Sequence, residues 1–214
     1  MTIIEPGVRP VAFFTATYLL LAGFFALSLH NWEFVFYIGV MLLLILFAWT
    51  VHRHVHFTVG TLWALSIWGL LHMIGGLMPI PAGIPYMGKP VFYSMWIIPD
   101  LLKYDMVIHA FGFGVATFAC WQASVVVTGV DEPRPGRVIL AVLAGMGLGA
   151  LNEVIEFMAV LTVPDTNVGG YENTGWDLVF NMIGCVIAGL YILRSWEPEK
   201  KYLRRLIDHF RRKE

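Results

Sequence analysis

Charge is scarce in this sequence. Of its 214 residues only 14% are Asp, Glu, Lys or Arg, against about 25% in an ordinary soluble domain. Hydrophobic residues make up 58%, and mean hydropathy is +0.71. A water-soluble fold could not hide that much apolar surface, so part of the solvent must be lipid. Neither sign of charge dominates, since the net charge is −1, which argues against nucleic acid as a partner. Cysteine is nearly absent. Cys120 and Cys185 both fall in apolar runs and read as small core residues, not as a disulfide or a metal pair. The first apolar run lacks a strong basic leader and is followed at once by another, which argues against a cleavable signal peptide. The P-loop, GxSxG, HExxH and Rossmann patterns are all missing, as are internal repeats and low-complexity segments.

What is present is a series of long apolar runs. About 20 such residues cross a bilayer as a helix. Six stretches qualify: Pro10 to Ser28, Phe34 to Val51, Phe57 to Met78, Leu101 to Val127, Val138 to Thr162 and Gly175 to Leu193. The expected fold is all-α, a polytopic bundle of about six transmembrane helices over residues 1–196. The first two spans carry almost no polar groups and read as lipid-facing scaffold. Arg9, Arg53, Arg134, Arg137 and the basic C-terminal residues fall on one side, and Lys89 and Lys103 on the other. Lys and Arg favour the cytoplasmic side, so an inner (plasma) membrane protein with both termini cytoplasmic is expected. Trp32, Trp96 and Trp176 would then mark the outer interface, and Trp49, Trp121 and Trp196 the inner one. Residues 197–214 form a separate cytoplasmic tail. There Leu203, Leu206, Ile207 and Phe210 share one helical stripe among basic residues, the pattern of an amphipathic helix on a lipid surface. The proline-punctuated stretch before the fourth span, with Tyr86, Phe92, Tyr93 and Trp96, is expected to lie on the membrane or fold over the helix ends.

The last four spans contain ionisable groups, each expensive in a bilayer. They are His72, then Asp105 and His109, then Glu153 and Glu156, then Asp177 with Asn181. At about 1.5 Å rise per residue, His72, His109, Glu153 and Asn181 lie roughly 4–8 Å outward of their span midpoints, and Asp105, Glu156 and Asp177 roughly 9–14 Å. The spans alternate in direction, so this agreement does not follow from sequence position. Faces agree as well. Asp105, His109, Gly112 and Ala116 share one face, as do Asp177, Asn181, Gly184 and Ala188, and Gly145, Gly149, Glu153 and Glu156. Small residues let transmembrane helices approach closely. The pattern predicts a tight seam that opens outward into a polar pocket, with Gly112, Gly145, Gly149 and Gly184 at helix contacts.

Imidazoles and carboxylates at one depth are the donor set of a zinc, manganese or iron site. In that reading His72, His109, Glu153 and Asp177 are metal ligands. Glu156 or Asp105 is the general base on a metal-bound water, and Asn152 and Asn181 are supporting groups. Three functions stay open. One is a metal-dependent hydrolase or transferase acting on a membrane lipid or lipid-linked envelope molecule. Another is a proton-coupled transporter or binder. The last is a non-catalytic subunit or scaffold whose polar network only locks the helices. Oligomeric state is not legible. His52, His54 and His56 around Arg53 read as a polar turn rather than a second metal site, and Gly169–Gly170 with Asp165, Asn167 and Glu172 as a turn rather than a calcium loop.

The runs Tyr-Asp-x-x-x-His at Tyr104 to His109, Asn-Glu-x-x-Glu at Asn152 to Glu156, and Trp-Asp-x-x-x-Asn-x-x-Gly at Trp176 to Gly184 resemble the YjdF-type inner-membrane proteins. More distantly they resemble VanZ-like proteins, which carry a different residue where Glu156 stands. The resemblance covers roughly the second half of the chain, and Asp105, His109, Glu153, Glu156, Asp177 and Asn181 fall on the shared pattern. It implies a cell-envelope setting and names no reaction.

Overall fold

The computed structural model describes residues 6–195. Six helices follow in order: α1 (Arg9–Ser28), α2 (Trp32–Val55), α3 (Val59–Leu77), α4 (Tyr104–Thr128), α5 (Pro135–Thr162) and α6 (Tyr171–Ser195). All six are long and apolar enough to cross a membrane. The amphipathic-tail expectation and Trp196 lie outside the described residues.

Short connections make the helices alternate in direction. Asn31 starts α2 by accepting a hydrogen bond from the Phe34 N–H at 3.1 Å. Thr58 does the same for α3, accepting from Thr61 N–H at 3.2 Å, while its own N–H donates to Gln122 Oε1 of α4 at 2.9 Å. Gly129, at φ 65°, ends α4 in the left-handed conformation that glycine takes without penalty, and Pro135 begins α5. The bundle therefore has a turn end, with the α2–α3 and α4–α5 connections, and a loop end, with residues 78–103 and 163–170. Helix α2 runs to Val55, so His52 and His54 sit on its last turn instead of in a connection, with His56 as its left-handed cap.

Residues 78–103 fold over the helix ends. A short antiparallel pair forms, β1 (Trp96–Ile98) with β2 (Leu102–Lys103), so α4 begins at Tyr104 and not at Leu101. The segment is fastened back by Phe92 N–H to Met78 O at 3.2 Å and by Tyr104 O–H to Leu71 O at 3.0 Å.

Helices α4, α5 and α6 form the tightest unit. A Cβ on Gly184 would collide with the Ala110 backbone, and one on Gly114 would lie 3.1 Å from Gly184 O, so α4 and α6 cross backbone to backbone. Gly145 faces Thr117 and Cys185, Gly149 faces Asn181, and Gly112 faces the Trp68 ring. All four expected seam glycines thus lie at helix contacts. Near the turn end Trp121, Val125, Val138, Ala141 and Ile192 pack together. Trp121 is buried there under the Arg137 guanidinium, 4.8 Å from its ring centroid, and so is not an interface marker.

Helices α1 to α3 have their own core of Tyr18, Ala22, Ala26, Phe34 and Met73 near the loop end. They are not mere scaffold. Glu33, near the start of α2, is buried and accepts from the Asn167 N–H at 2.8 Å. Between this trio and the α4–α6 unit lies a cavity of ≈ 570 Å³.

Candidate functional site: a buried acidic cluster around His109

The site is set by helix periodicity. Asp105 and His109 are one turn apart on α4, and Asn173, Asp177 and Asn181 are successive turns of one α6 face. Helix α5 adds Asn152, Glu153 and Glu156. The glycines beneath them draw the three helices close enough for these groups to meet.

His109 is the centre, with 1% of its surface exposed. Its Nδ1 lies 2.9 Å from Asn181 Oδ1. An amide oxygen only accepts, so Nδ1–H donates, and in the neutral ring the lone pair is on Nε2. That nitrogen faces Asp105 Oδ1 at 3.5 Å, Asp177 Oδ1 at 4.0 Å and Glu156 Oε1 at 4.0 Å. Glu153 Oε1 approaches from the other side, 3.8 Å from Nδ1. Two donor trios share the imidazole, Asp105–His109–Asp177 and His109–Glu153–Glu156, each with its atoms within 4.8 Å of one another. In a tetrahedral zinc site with bonds of about 2.0–2.1 Å, neighbouring donors sit about 3.3–3.5 Å apart, so a small contraction of the first trio would close it on a cation.

Around the trios is a ring of orienting amides. Asn173 Nδ2 donates to Asp177 Oδ2 at 2.6 Å, which leaves Oδ1 turned to His109. Asn152 Nδ2 donates to Glu156 Oε1 at 2.9 Å. The buried Lys103 ammonium donates in turn to Asn173 Oδ1, placing a positive charge one amide away from Asp177. Three carboxylate oxygens, both of Glu153 and Oδ1 of Asp177, are buried with no hydrogen-bond partner. Asp177 is fully buried. Ionised carboxylates in such a place cost several kcal/mol each unless a positive partner arrives.

His72 stands apart from both trios. It lines the same cavity, with its ring centroid 6.4 Å from that of His109, but its Nδ1 is hydrogen-bonded to the Tyr93 hydroxyl. Burial holds the Tyr93 hydroxyl well above the usual phenol range, and the nearby Asp105 and Glu156 charges push it the same way. It therefore stays protonated. The three histidines near Arg53 do not form a donor trio among the described residues, and His54 Nδ1 is turned to Thr50 O at 2.8 Å. Asp165 is paired with Lys89 Nζ at 2.9 Å, and Asn167 ties the α5–α6 connection to Glu33 and Ser94, so that loop serves as a clamp.

Sequence reasoning missed Asn173, Lys103, Tyr93 and Glu33. Asn173 was within reach, since it continues the Asp177–Asn181 face by one more turn. Tyr93 and Lys103 are brought in by the folded segment 78–103, and Glu33 of α2 by its contact with Asn167 in the α5–α6 connection; no periodicity describes either.

Asn181 supplies a direct test of the tautomer argument. Asn181→Leu removes the acceptor for Nδ1–H while keeping similar bulk. If the site binds a cation, affinity should fall about 10–100-fold, the range for losing a ligand's orienting partner, as read by titration calorimetry with zinc or manganese. An unchanged affinity would mean that Asn181 does not fix the imidazole.

Among known proteins, the chain is 29% identical over 102 residues to a Thermotoga maritima protein described as an uncharacterized protein. That alignment covers 44% of this chain and 53% of the relative, so the chain spans about half the length of the curated relative it matches. No solved structure matches it. Over residues 10–197 it matches the family described as predicted membrane protein (DUF2238), and the chain, an integral membrane protein with six candidate spans, belongs to that family.

Proposed function

We propose that the acidic cluster is a divalent-cation centre and that the protein is a membrane-embedded hydrolase acting on an ester in the polar head of a lipid or lipid-linked cell-envelope molecule. The observation that carries this reading is the buried, unpartnered Oδ1 of Asp177, 4.0 Å from His109 Nε2, together with the two unpartnered oxygens of Glu153 on the Nδ1 side of the ring. A cation offsets their mutual repulsion and supplies the missing positive charge.

Asp105, His109 and Asp177 suit the ligand role, with Glu156 as general base, since its Oε1 lies 4.0 Å from the same nitrogen. Asp105 thus moves from candidate base to ligand, and His72 to an outer position beside Tyr93. Asp105, His109 and Asp177 would hold the cation, which would supply Lewis-acid activation of water at the ester. Glu156 would take the attacking water's proton as its oxygen bonds to the ester centre, and would return that proton to the leaving oxygen as the bond to it breaks. The cluster lies toward the loop end. The arginines Arg9, Arg53, Arg134 and Arg137 lie at the turn end, which favours the turn end, and both termini, on the cytoplasmic side of the inner membrane. The head group would then be met from the outer leaflet.

The test is a mass-spectrometric survey of envelope lipid extract incubated with purified protein. A cation-dependent loss of one lipid species is expected. Glu156→Gln should slow it about 10²–10⁴-fold, the usual weight of a general base, while leaving cation binding intact. A cation-loaded protein that changes no lipid but carries a pH-dependent flux in vesicles would replace the enzyme reading with a proton-coupled transporter.

A further inference from the structure

The cavity between the α1–α3 unit and the α4–α6 unit has two chemically distinct parts. Its loop end is lined by Asp105, Asn152, Glu156 and Asn167. Its remaining length is walled by α1, α2 and α3, with small side chains such as Ala12, Ala16 and Ala48 alongside Leu44, Ile45 and Leu65. Two hydroxyls on that wall, those of Thr15 and Ser66, are engaged. Thr15 Oγ1 donates to Val11 O at 2.8 Å and is 2.6 Å from Ser66 Oγ. A wall that is mostly aliphatic and aromatic, with these two hydroxyls paired, offers little to water and suits hydrocarbon.

The wall is also long. Along α2 it runs from Glu33 to His52, roughly 28 Å at 1.5 Å rise per residue. A bilayer's hydrocarbon core is about 30 Å thick, both leaflets together. An ordinary acyl chain, confined to one leaflet, would fill about half of such a groove.

We infer that this groove seats the single hydrocarbon chain of a lipid longer than one leaflet, with its polar head at the acidic cluster. The inference rests on the reading of that cluster as the site of chemistry, and it names the substrate class: a long-chain, polyprenyl-type lipid carrying an esterified head. Entry is lateral. Helices α1 and α2 pack on one another at the loop end through Ala22, Ala26, Phe34 and Ile38, while toward the turn end the same helices wall the cavity through Val11, Ala12, Ile45 and Ala48. A chain can slip between them there without opening the α4–α6 unit. A phosphate head, being anionic, would reach the carboxylates only with a cation between them.

Photolabelling tests this with two probes that differ in length, farnesyl phosphate and the six-isoprene hexaprenyl phosphate, each carrying a diazirine at the chain terminus. The full-length protein is labelled in detergent with zinc or manganese, and the adducts are mapped by peptide mass spectrometry. The expected result is a length-dependent pattern. The short probe should mark mid-groove residues such as Met41 and Gly69, and the long probe Ala48, Trp49 or Leu62. Ala48→Trp should cut the long-probe adducts at least tenfold with metal content unchanged. Ala16→Phe is the second variant, should the first fail to fold. The inference is overturned if both probe tips mark the same residues, or if adducts fall only on outward side chains such as Leu43, Leu46 and Phe47. A metal-free wild type whose groove still labels by length would overturn the cation reading and leave the groove standing. A metal-loaded wild type whose groove does not label would do the reverse.

Discussion

Gly184→Leu is expected to yield no folded protein in detergent. A Cβ at this position would sit inside the Ala110 backbone, and backbone cannot turn aside as a flexible side chain can. Helices α4 and α6 would have to separate along the face that carries Asp105, His109, Asp177 and Asn181. In lipid no hydrophobic effect pulls helices together, so close packing is a main source of association. Overpacking a seam costs about 1–3 kcal/mol and more where nothing can relax, a large part of a typical stability of about 5–15 kcal/mol. Gly147→Leu is the control. A Cβ there meets nothing within 4 Å, on the exposed side of the same bundle, and the change should be tolerated. Fluorescence-detected gel filtration with a thermal ramp reads both. A Gly184→Leu protein that elutes and melts like wild type would mean that the α4–α6 crossing is misplaced.

His109→Ala is expected to lower divalent-cation affinity more than about 100-fold, beyond the effect of losing an orienting partner, while the helices remain formed. His109 is the one group common to both donor trios, so no neighbouring substitution should have a larger effect. Binding should also weaken as pH falls, because each ligand must shed its proton to coordinate. Glu153→Gln makes the companion measurement on cation-free protein. Its two carboxylate oxygens are buried and unpartnered near three other acids, so an amide there should raise thermal stability, by about 1–3 kcal/mol for relieving a buried unsatisfied group. A network that only locks the helices predicts the opposite sign, a loss of stability from Glu153→Gln and no cation to lose from His109→Ala.

The six spans, their order and the seam glycines were legible because each depends on local periodicity and on the length of a bilayer crossing. Asp105, His109, Glu153, Glu156, Asp177 and Asn181 share depth and face for the same reason, and the structure brings them together around His109. Periodicity could not convey what the connections do. Residues 78–103 fold over the helix ends, with a short antiparallel pair at Trp96–Ile98 and Leu102–Lys103, and deliver Tyr93 to His72 and Lys103 to Asn173, contacts between residues far apart in sequence. Nor could it show that α1 and α2, nearly free of polar residues, wall a cavity. That feature comes from how they lean on α3, and their composition suits a lipid-facing role equally well. The position of Trp121 near a helix end suggests an interface marker. Its burial beneath Arg137 depends on where α5 starts, which only the packed fold specifies.

The most direct test of the cation centre is elemental analysis of detergent-purified wild-type protein beside Asp177→Asn, both from cells supplied with zinc, manganese and iron. The account predicts a stoichiometric divalent metal in the wild type and its loss in Asp177→Asn, with both proteins folded. A folded wild type without metal, unable to take one up on titration, would contradict it.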